Sequence, residues 1–442
     1  MKRFMLLLLA IGLLNASCKK DEKTGNRPDP VVSSISPERG RAGTVLTISG
    51  ENFSRLRTDN IIRINGIESK IVTFNEQNIY VEVPESEAVG NVPVSVSIAG
   101  RPVEGLSFEY MEPIIPYTTE TFAGDGTASF ADGTGVAAKF NNPEGVAIDS
   151  KGNIIVADRV NNRIRKITPD GVVSTLAGTG TAGRVDGPAA TARFSGPWKV
   201  AVDKNDNIIV ADRTNNMIRK ISADGIVSTI AGNGTAGTAD GLGTAARFSY
   251  PQDVEVDDNG IIYVVDYTND RIRKITPDGT VSTLAGSSTG YADGTGTDAK
   301  FDKPCGIAIA HDGNLLVVDR NNQRVRKVTP QGVVTTFAGS GTKGLVDGDL
   351  ATAAFSEPYG LCVDKNGNIF VADLAGHAIR KITIYGEVIT IAGNGTGGFA
   401  DGTVASAVML KNPTDVVTDS QGRVYVADLA NHRVRRLVQQ SK

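Results

Sequence analysis

The sequence has few residues of the kinds that form disulfides, metal centres or aromatic clusters. Its 442 residues include three cysteines, three histidines and one tryptophan. Three cysteines are too few to stabilise a chain of this length by a framework of disulfides. Cys305 and Cys362 lie in neighbouring copies of a repeat that is described below, at repeat positions that differ by three residues. The distance between two copies, together with this offset, exceeds the ~7 Å between Cα atoms that a disulfide allows. We therefore expect two free thiols with a structural role.

The charge balance and the apolar runs exclude further classes. Lys and Arg number 46 and Asp and Glu number 49, so the formal net charge is −3. Nucleic-acid binding needs a basic face, and a weakly acidic chain does not suit it. The apolar stretch at Phe4–Leu14 is too short to span a bilayer. We therefore expect no nucleic-acid partner and interpret this stretch as part of a signal peptide.

What the chain does have is a repeat. A glycine that follows the third predicted strand of each copy recurs every 53 or 54 residues, at Gly171, Gly225, Gly279, Gly332 and Gly386. A period of about 50 residues with several short apolar runs indicates a propeller or an array of repeats. In the first copy, turn sequences separate four runs typical of strands, Gly145–Asp149, Ile154–Asp158, Arg163–Ile167 and Val172–Ala177. Four antiparallel strands make one blade, so residues 117–442 are predicted to form an all-β propeller of six blades.

The two ends of this region predict how the ring closes. The sixth copy has runs at Asp415–Asp419, Val424–Asp428 and Arg433–Val438, but no fourth run follows. An extra run, Thr118–Ala123, precedes the first copy and matches the fourth-strand pattern. We predict that this run pairs with Arg433–Val438 and so removes an edge that would be open to aggregation.

The repeat resembles a known family. The block PEGVAIDSKGNIIVADRVNNRIRKI at Pro143–Ile167 is similar to an NHL repeat, and the other copies match it. The resemblance implies a six-bladed propeller. It leaves the function open, because proteins with these repeats include peptide-processing lyases with a metal-containing central site and many non-enzymatic binding modules.

Residues 30–110 differ from the repeats. Pro30–Phe53 resembles the opening of an IPT/TIG domain. Later runs alternate as sandwich strands do, at Ile61–Ile64, Ile71–Phe74, Ile79–Val83 and Val92–Ile98. The resemblance implies a small immunoglobulin-like β-sandwich that acts as a spacer or as part of a binding array. Residues 111–116, with two prolines, are predicted to be a linker.

The N-terminus has the features of an export and anchoring signal. Met1–Arg3 is a basic start, and Leu14–Cys18 (LNASC) resembles a bacterial lipobox. This predicts a lipoprotein signal peptide at residues 1–17, with acyl chains on Cys18 that tether the protein to the membrane. The alternative is an ordinary signal peptide with a chance cysteine.

The residues after Cys18 extend this prediction. Lys19–Glu22 (KKDE) resembles the export signal of Bacteroidota surface lipoproteins, although a solvated charge run would read the same way. Residues 18–29 are predicted to be a polar tether. We expect a monomer that is anchored in the outer membrane and exposed at the cell surface.

Several repeated residues are interpreted as structural. The GxGxxG at Gly178–Gly183 lies in a connector of an all-β chain rather than in a βαβ unit, so it does not indicate a nucleotide site. One Asp per connector, as at Asp132, is expected to cap a turn, because calcium requires several oxygens that converge. Phe140 and the large apolar residues at the equivalent position of the other copies are expected to pack between blades. Arg165 and Asp158, with their counterparts in the other blades, are expected to form ion pairs and turn caps.

Function is expected where the copies differ but face one place. In a propeller, the connector into the first strand and the turn between the second and third strands open on one face, and the first strands line the central channel. Three columns vary there, namely the two residues after the connector proline and the residue after the Asp that ends the second strand. The candidate ligand-binding residues from these columns are Glu144, Trp198, Lys199, Gln252, Asp253, Tyr359, Asp415, Arg159, Arg213, Tyr267 and Arg320.

These residues predict a concave mouth. An exposed Trp198 and Tyr359 beside carboxylates and arginines would suit a sugar or a peptide. The alternative is that ordinary drift of loop sequence placed them there.

Histidine is the main test for an enzyme, because the lyases that this repeat resembles hold a catalytic metal with histidines. His311 is expected in a turn on the opposite face, and His377 and His432 share one turn column in adjacent blades. A catalytic zinc site needs three protein ligands. We interpret His377 and His432 as replacements for turn residues such as Asn162, and we expect no metal and no cofactor.

The sequence thus favours a tethered binding protein that captures an extracellular glycan or protein without turnover. One rival is a lyase or lactone hydrolase with Glu144, Asp253 or Asp415 as acid or base. The other is a scaffold of an outer-membrane complex.

Overall fold

The structure is a computed structural model that describes residues 28–441. The described chain divides into two compact units, with the boundary between Ile114 and Ile115. The predicted signal peptide, the acylation site Cys18, the KKDE run and most of the tether lie outside the described residues. Within residues 28–441 the helical structure is confined to short 3-10 turns, and no helix has the length and hydropathy of a membrane span.

The first unit is a two-sheet β-sandwich. One sheet has the order Val31–Ser36, Val45–Glu51, Asn78–Glu82 and Lys70–Phe74. The other sheet has the order Arg39–Gly40, Arg101–Tyr110, Gly90–Ile98, Asn60–Ile64 and Ile67–Glu68. A 3-10 turn at Arg57–Asp59 precedes the strand Asn60–Ile64 of the second sheet. The strands predicted from alternation are confirmed, and their period of two sends every second side chain inward.

The inward side chains make the core of the sandwich. Leu46, Ile48, Ile62 and Ile64 are fully buried, and Phe108 packs edge-on against Tyr110 at 5.4 Å between ring centroids. Each buried aliphatic side chain contributes about 1.5–3 kcal/mol, so the alternation seen in the sequence suffices to hold the two sheets together.

Residues 117–439 form the six sheets of the propeller. The first strands of the blades, which line the channel, are Pro143–Ile148, Pro197–Val202, Pro251–Val256, Pro304–Ile309, Pro358–Val363 and Pro413–Thr418. The second strands are Ile154–Asp158, Ile208–Asp212, Ile262–Asp266, Leu315–Asp319, Ile369–Asp373 and Val424–Asp428. The third strands are Arg163–Ile167, Met217–Ile221, Arg271–Ile275, Arg324–Val328, Ala378–Ile382 and Arg433–Gln439. The fourth strands are Val172–Ala177, Ile226–Ala231, Thr280–Ala285, Val333–Ala338, Glu387–Ala392 and Tyr117–Ala123.

The ring closes as the sequence predicts. Tyr117–Ala123 pairs antiparallel with Arg433–Gln439, with Glu120 opposite Arg436 and Thr121 opposite Arg435. The first strand of blade one lies beside the first strand of blade six. The two ends of the propeller therefore share one sheet, which closes the ring.

The connectors contain structure that the sequence did not reveal. In the first five blades a two-residue strand from the connector adds to the outer edge of the sheet. These strands are Gly133–Thr134, Gly187–Pro188, Gly241–Leu242, Gly294–Thr295 and Gly348–Asp349. In blade six a single bridge between Thr119 and Gly402 takes the same place. Short 3-10 turns occur in connectors at Gly135–Ala137, Gly243–Ala245, Gly296–Asp298 and Ala405–Ala407, and after second strands at Arg213–Asn215, Tyr267–Asn269 and Leu429–Asn431. The connectors therefore lie against the sheets instead of crossing open solvent.

Two repeated contacts stabilise the blades. The predicted apolar wedges are fully buried, and Phe140 belongs to one hydrophobic cluster with Val434 and Ala427 of blade six and Val146 of blade one. The third-strand arginines are also fully buried in all six blades.

In blade one the guanidinium of Arg165 donates to Asp158 and to Asp132, each at 2.7 Å. The connector aspartates were expected to cap turns. The structure corrects this, because the carboxylate of Asp132 pairs with Arg165 and so joins the connector to the sheet, as its counterparts do in the other blades.

Candidate functional site

The candidate residues meet at the connector end of the channel, in two layers. The outer layer is partly exposed and contains Arg159, Trp198, Arg213, Tyr267 and Arg320. The inner layer is buried, with 1–5% exposure, and contains Glu144, Lys199, Gln252, Asp253, Tyr359 and Asp415. The expectation that Tyr359 is exposed is wrong, because its ring packs against Trp198 and Leu361.

Arginines and aromatic rings alternate in the outer layer. The guanidinium of Arg213 lies 3.9 Å from the ring centroid of Trp198, 4.8 Å from that of Tyr250 and 5.6 Å from that of Tyr267. Arg159 lies 4.7 Å from the same Trp198 ring. These distances are typical of cation–π contacts, which stabilise partly desolvated cations. The outer layer is thus a preformed surface of rings and positive charge.

A hydrogen bond connects the outer layer to the inner layer across the ring. The indole Nε1 of Trp198 in blade two donates to the hydroxyl of Tyr359 in blade five at 3.0 Å. Blades two and five face each other across a six-bladed ring, so the two side chains meet over the channel axis. We call this contact the Trp–Tyr latch.

Glu144 lies in the inner layer next to the latch. Its carboxylate is 1% exposed and is 3.4 Å from Nη1 of Arg159. Burial raises the pKa of Glu144 to about 7, although the charges of Arg159, Lys199 and Arg213 and a hydrogen bond from Tyr359 act in the opposite direction. This carboxyl group can therefore change its charge near neutral pH.

A buried ion cluster lies at mid-depth in the channel. Nζ of Lys199 donates to Oδ1 of Asp415 at 2.8 Å and to Oδ2 of Asp253 at 3.2 Å. Backbone N–H groups of Val146 and Ile307 donate to the same two carboxylates, each at 2.9 Å. These contacts connect blades one, two, three, four and six, so the cluster holds the first strands in register around the axis.

The charged groups in this cluster shift one another's pKa values. Burial raises the pKa of Asp253 to about 6 and raises that of Asp415, against the attraction of Lys199. Burial alone would lower the pKa of Lys199, but the charges of Asp253 and Asp415 outweigh it and raise that pKa. The ammonium therefore stays charged and neutralises one of the two carboxylates.

Glycine in the neighbouring blades makes room for this cluster. A Cβ at Gly360 would touch Oδ1 of Asp415 and would lie 2.6 Å from Nζ of Lys199. A Cβ at Gly145 would lie 2.6 Å from Cα of Lys199. The column that holds Lys199, Asp253 and Asp415 has glycine in its three other blades, because the ring is too narrow there for six side chains.

A cavity of about 230 Å³ extends from the cluster along the channel, toward the ends of the first strands. Asp253, Glu255, Asp415, Cys362 and Thr418 are its polar and sulfur-containing lining residues. Burial, with the charges of Asp253 and Asp415, raises the pKa of Glu255 to about 8. The sequence prediction missed Glu255, although a carboxylate in a column otherwise filled by Ala, Cys and Val was a usable signal.

The sequence prediction also missed part of the outer rim. Tyr250, Lys303 and Glu357 occupy the residue before the connector proline and border the mouth. These residues precede the first strand, so the columns that vary at the start of that strand do not include them. Arg320 pairs with Glu357 and lies 5.5 Å from the Tyr359 ring.

The histidines act between blades. Nδ1 of His377 accepts a hydrogen bond from the backbone N–H of Asn412, and Nδ1 of His432 accepts one from that of Asn142, each at 3.1 Å. Asn162 accepts the equivalent bond from Gly196 at 2.9 Å. The interpretation of both histidines as replacements for Asn162-type turn residues is confirmed.

The carboxylates and the thiol that line the cavity are not placed as a metal site. Residues 28–441 contain no group of three or more His, Cys, Asp or Glu side chains placed to hold a metal ion. The two cysteines in the described range, Cys305 and Cys362, are free thiols as predicted, and Sγ of Cys305 lies 3.2 Å from the carbonyl oxygen of Tyr359.

Comparison with sequence families identifies both units. The IPT/TIG domain pattern matches residues 30–110. The NHL repeat pattern matches residues 140–167, 194–221, 248–275 and 410–437. Protein SUPPRESSOR OF QUENCHING 1, chloroplastic, of Arabidopsis thaliana is 31% identical over 279 residues, which cover 59% of this chain and 26% of that protein. This chain thus spans about a quarter of that relative's length.

Comparison with solved structures supports the architecture. A protein of unknown function from Bacteroides thetaiotaomicron aligns with a TM-score of 0.58 and 21% identity over 94% of this chain and 99% of its own. An auxiliary nutrient binding protein from Bacteroides ovatus aligns with a TM-score of 0.57 and 19% identity over the same shares. At these identities the likeness establishes the fold alone.

Proposed function

We propose that this chain, which consists of an IPT/TIG domain followed by an NHL-repeat propeller, is a binding protein of the bacterial cell envelope. Its propeller mouth captures an extracellular glycan or protein ligand without turnover. The observation that carries this proposal is the outer layer, where partly exposed rings and guanidinium groups converge above a closed latch. Recognition surfaces typically combine aromatic faces with a few fixed polar groups in this way.

The inner layer supports the same proposal. The side-chain amide of Gln252 is 1% exposed, and both its nitrogen and its oxygen lack a hydrogen-bond partner within residues 28–441. Buried polar groups are normally paired, so this amide keeps hydrogen-bonding capacity next to the mouth.

The proposed location follows from the sequence. Acyl chains on Cys18 would anchor a monomer in the outer membrane, and the sandwich would serve as a spacer that holds the propeller at the cell surface. The name of the Bacteroides ovatus neighbour, an auxiliary nutrient binding protein, fits an envelope role of this kind.

A binding screen tests the proposal. The full chain would be applied to a glycan array, together with Trp198→Ala and Tyr267→Ala, which remove mouth rings. The matched control is Tyr291→Ala, because Tyr291 also lies against an arginine, at 4.3 Å from Arg324, but belongs to a connector outside the mouth. We expect binding that both mouth variants lose and the control keeps. Equal binding by all four proteins would contradict a role for the mouth.

One observation favours an enzyme as the second candidate. The channel cavity places Glu255, with a pKa of about 8, beside Asp253, with a pKa of about 6. Carboxyl groups with separated pKa values can serve as acid and base. Turnover of a lactone or glycan substrate that Asp253→Asn abolishes, while Tyr267→Ala retains it, would support this candidate over the first.

A further inference from the structure

The mouth contains four cations, and three of them have carboxylate partners. Arg159 pairs with Glu144 and Lys303 pairs with Asp270, each at 3.4 Å, and Arg320 pairs with Glu357. The fourth cation is Arg213.

Arg213 is the exception. Across residues 28–441 its guanidinium has no hydrogen bond and no carboxylate within 4 Å, and its Nε is buried. Its contacts are the faces of Trp198, Tyr250 and Tyr267. A guanidinium has five donors in a fixed plane that matches a carboxylate. Arg213 therefore presents donors in the mouth that could bind the carboxylate of a ligand.

Tyr250 is the exposed ring beside Arg213. Its backbone has φ of 55°, and the residue before the connector proline has the same left-handed conformation in every blade, so this conformation belongs to the repeated turn. A 2.8 Å hydrogen bond from the N–H of Tyr250 to Oδ1 of Asn216 holds that turn. The ring keeps 41% of its surface exposed next to the guanidinium of Arg213. The mouth therefore offers an aromatic face beside a cation that is unpaired within the described part of the chain.

We propose that the mouth recognises an acidic sugar, with Arg213 binding the sugar carboxylate and Tyr250 contacting the flat face of the sugar ring. This inference rests on the proposed function and specifies its ligand. An acidic pyranose presents a carboxylate and an apolar C–H face on one rigid unit, which matches a guanidinium framed by rings. An acidic peptide presents its carboxylate on a flexible chain without such a face.

The charged and aromatic residues of the outer layer lie on one side of the mouth only. A site of that extent fits the end of a sugar chain or a single sugar unit. The column of Arg159 and Arg213 continues with Tyr267 and Arg320 in blades three and four, but has Leu374 and Leu429 in blades five and six. The charged and aromatic half therefore belongs to blades one to four.

Calorimetry on the full chain tests the inference with three probes. The probes are trigalacturonic acid, its fully methyl-esterified form, and triglutamate. The key variant is Arg213→Gln, and Arg184→Gln is the control, because Arg184 is an exposed arginine of the same blade. Thermal melting of each variant confirms that it is folded, and Arg213→Lys provides a second variant that keeps the charge but loses the planar fork.

We expect trigalacturonic acid to bind at least tenfold more tightly than its ester, with affinity that falls as salt increases. Arg213→Gln should lose at least tenfold of this affinity and Arg213→Lys should lose part of it, while Arg184→Gln should bind as the unmodified chain does. Equal affinity for acid and ester, or an unchanged Arg213→Gln, would overturn the inference and leave the proposed binding function standing. Binding of triglutamate alone would overturn the choice of a sugar. Failure to bind any of the probes would overturn the acidic-sugar inference, and the proposed function would then depend on the array result.

Discussion

Trp198 and Tyr359 are 161 residues apart in sequence, yet the indole N–H of the first donates to the hydroxyl of the second at 3.0 Å. The contact joins two blades on opposite sides of the ring. It follows that the propeller is braced across its axis as well as around its circumference.

The first prediction concerns the strength of this latch. Trp198→Phe and Tyr359→Phe each remove one partner, so a double-mutant cycle isolates the hydrogen bond from the packing of the rings. We expect a coupling free energy of about 0.5–1.5 kcal/mol, the usual net value of such a bond. Urea unfolding followed by circular dichroism measures it. Additive effects of the two substitutions would show that the contact contributes nothing.

The second prediction concerns the buried ion cluster. Lys199→Met would leave Asp253 and Asp415 buried without their cation, which typically costs about 3–5 kcal/mol. Both carboxyls would then have pKa values raised by burial above the unfolded value of about 3.9. The native state would bind more protons than the unfolded state, so stability should fall as pH rises through that window.

The single tryptophan makes this measurable, because its fluorescence reports on the mouth next to Lys199. We expect Lys199→Met to be much less stable at pH 8 than at pH 5. The control combines Lys199→Met with Asp253→Asn and Asp415→Asn, which removes both titrating groups. If the stability of Lys199→Met alone did not depend on pH, the assignment of Asp253 and Asp415 as buried partners of Lys199 would be contradicted.

The fold could be predicted from the sequence because a sixfold repeat averages out local ambiguity. Each strand pattern occurs in several copies, and the displaced Thr118–Ala123 run has one unfilled position to occupy. The connector strands such as Gly133–Thr134 could not be predicted in this way, because two residues have no detectable period.

The site could be predicted only in part. Aligned columns correctly gave the residues that meet at the channel, since column position fixes the location along a strand. Aligned columns do not show how far a side chain reaches toward the opposite blades or how deeply it is buried. Lys199 reaches past the axis to Asp415 only because Gly360 and Gly145 leave space, and Tyr359 is buried because Trp198 covers it.

The third prediction follows from that space. Gly360→Ala would place a methyl group against Asp415 and 2.6 Å from Nζ of Lys199. Overpacking of this kind costs about 1–3 kcal/mol, and here it also separates an ion pair. Gly344→Ala is the control, because the nearest side chain to its Cβ would be at an ordinary 3.5 Å. Denaturant unfolding monitored by Trp198 fluorescence compares them, and equal stability of the two variants would contradict the close approach.

The last prediction concerns acid sensitivity at blade six. His377 and His432 accept hydrogen bonds through Nδ1 from Asn412 and Asn142, and these bonds flank the blade that contains both ends of the propeller. Only an unprotonated Nδ1 can accept. Burial lowers the pKa of both histidines, with further lowering of His432 by Arg433.

Because the folded pKa values lie below the unfolded value of about 6.5, the unfolded state takes up protons first as pH falls. The stabilising contribution of these histidines is therefore complete above about pH 6.5 and is lost between that pH and the folded pKa values. We expect His377→Asn with His432→Asn to reduce the fall in melting temperature between pH 7.5 and pH 5, since Asn162 and Asn216 fill the same role in blades one and two. His311→Asn is the control, because His311 belongs to a different turn. If the double variant melted with the same pH dependence as the unmodified chain, blade six would not be the acid-sensitive part of the ring.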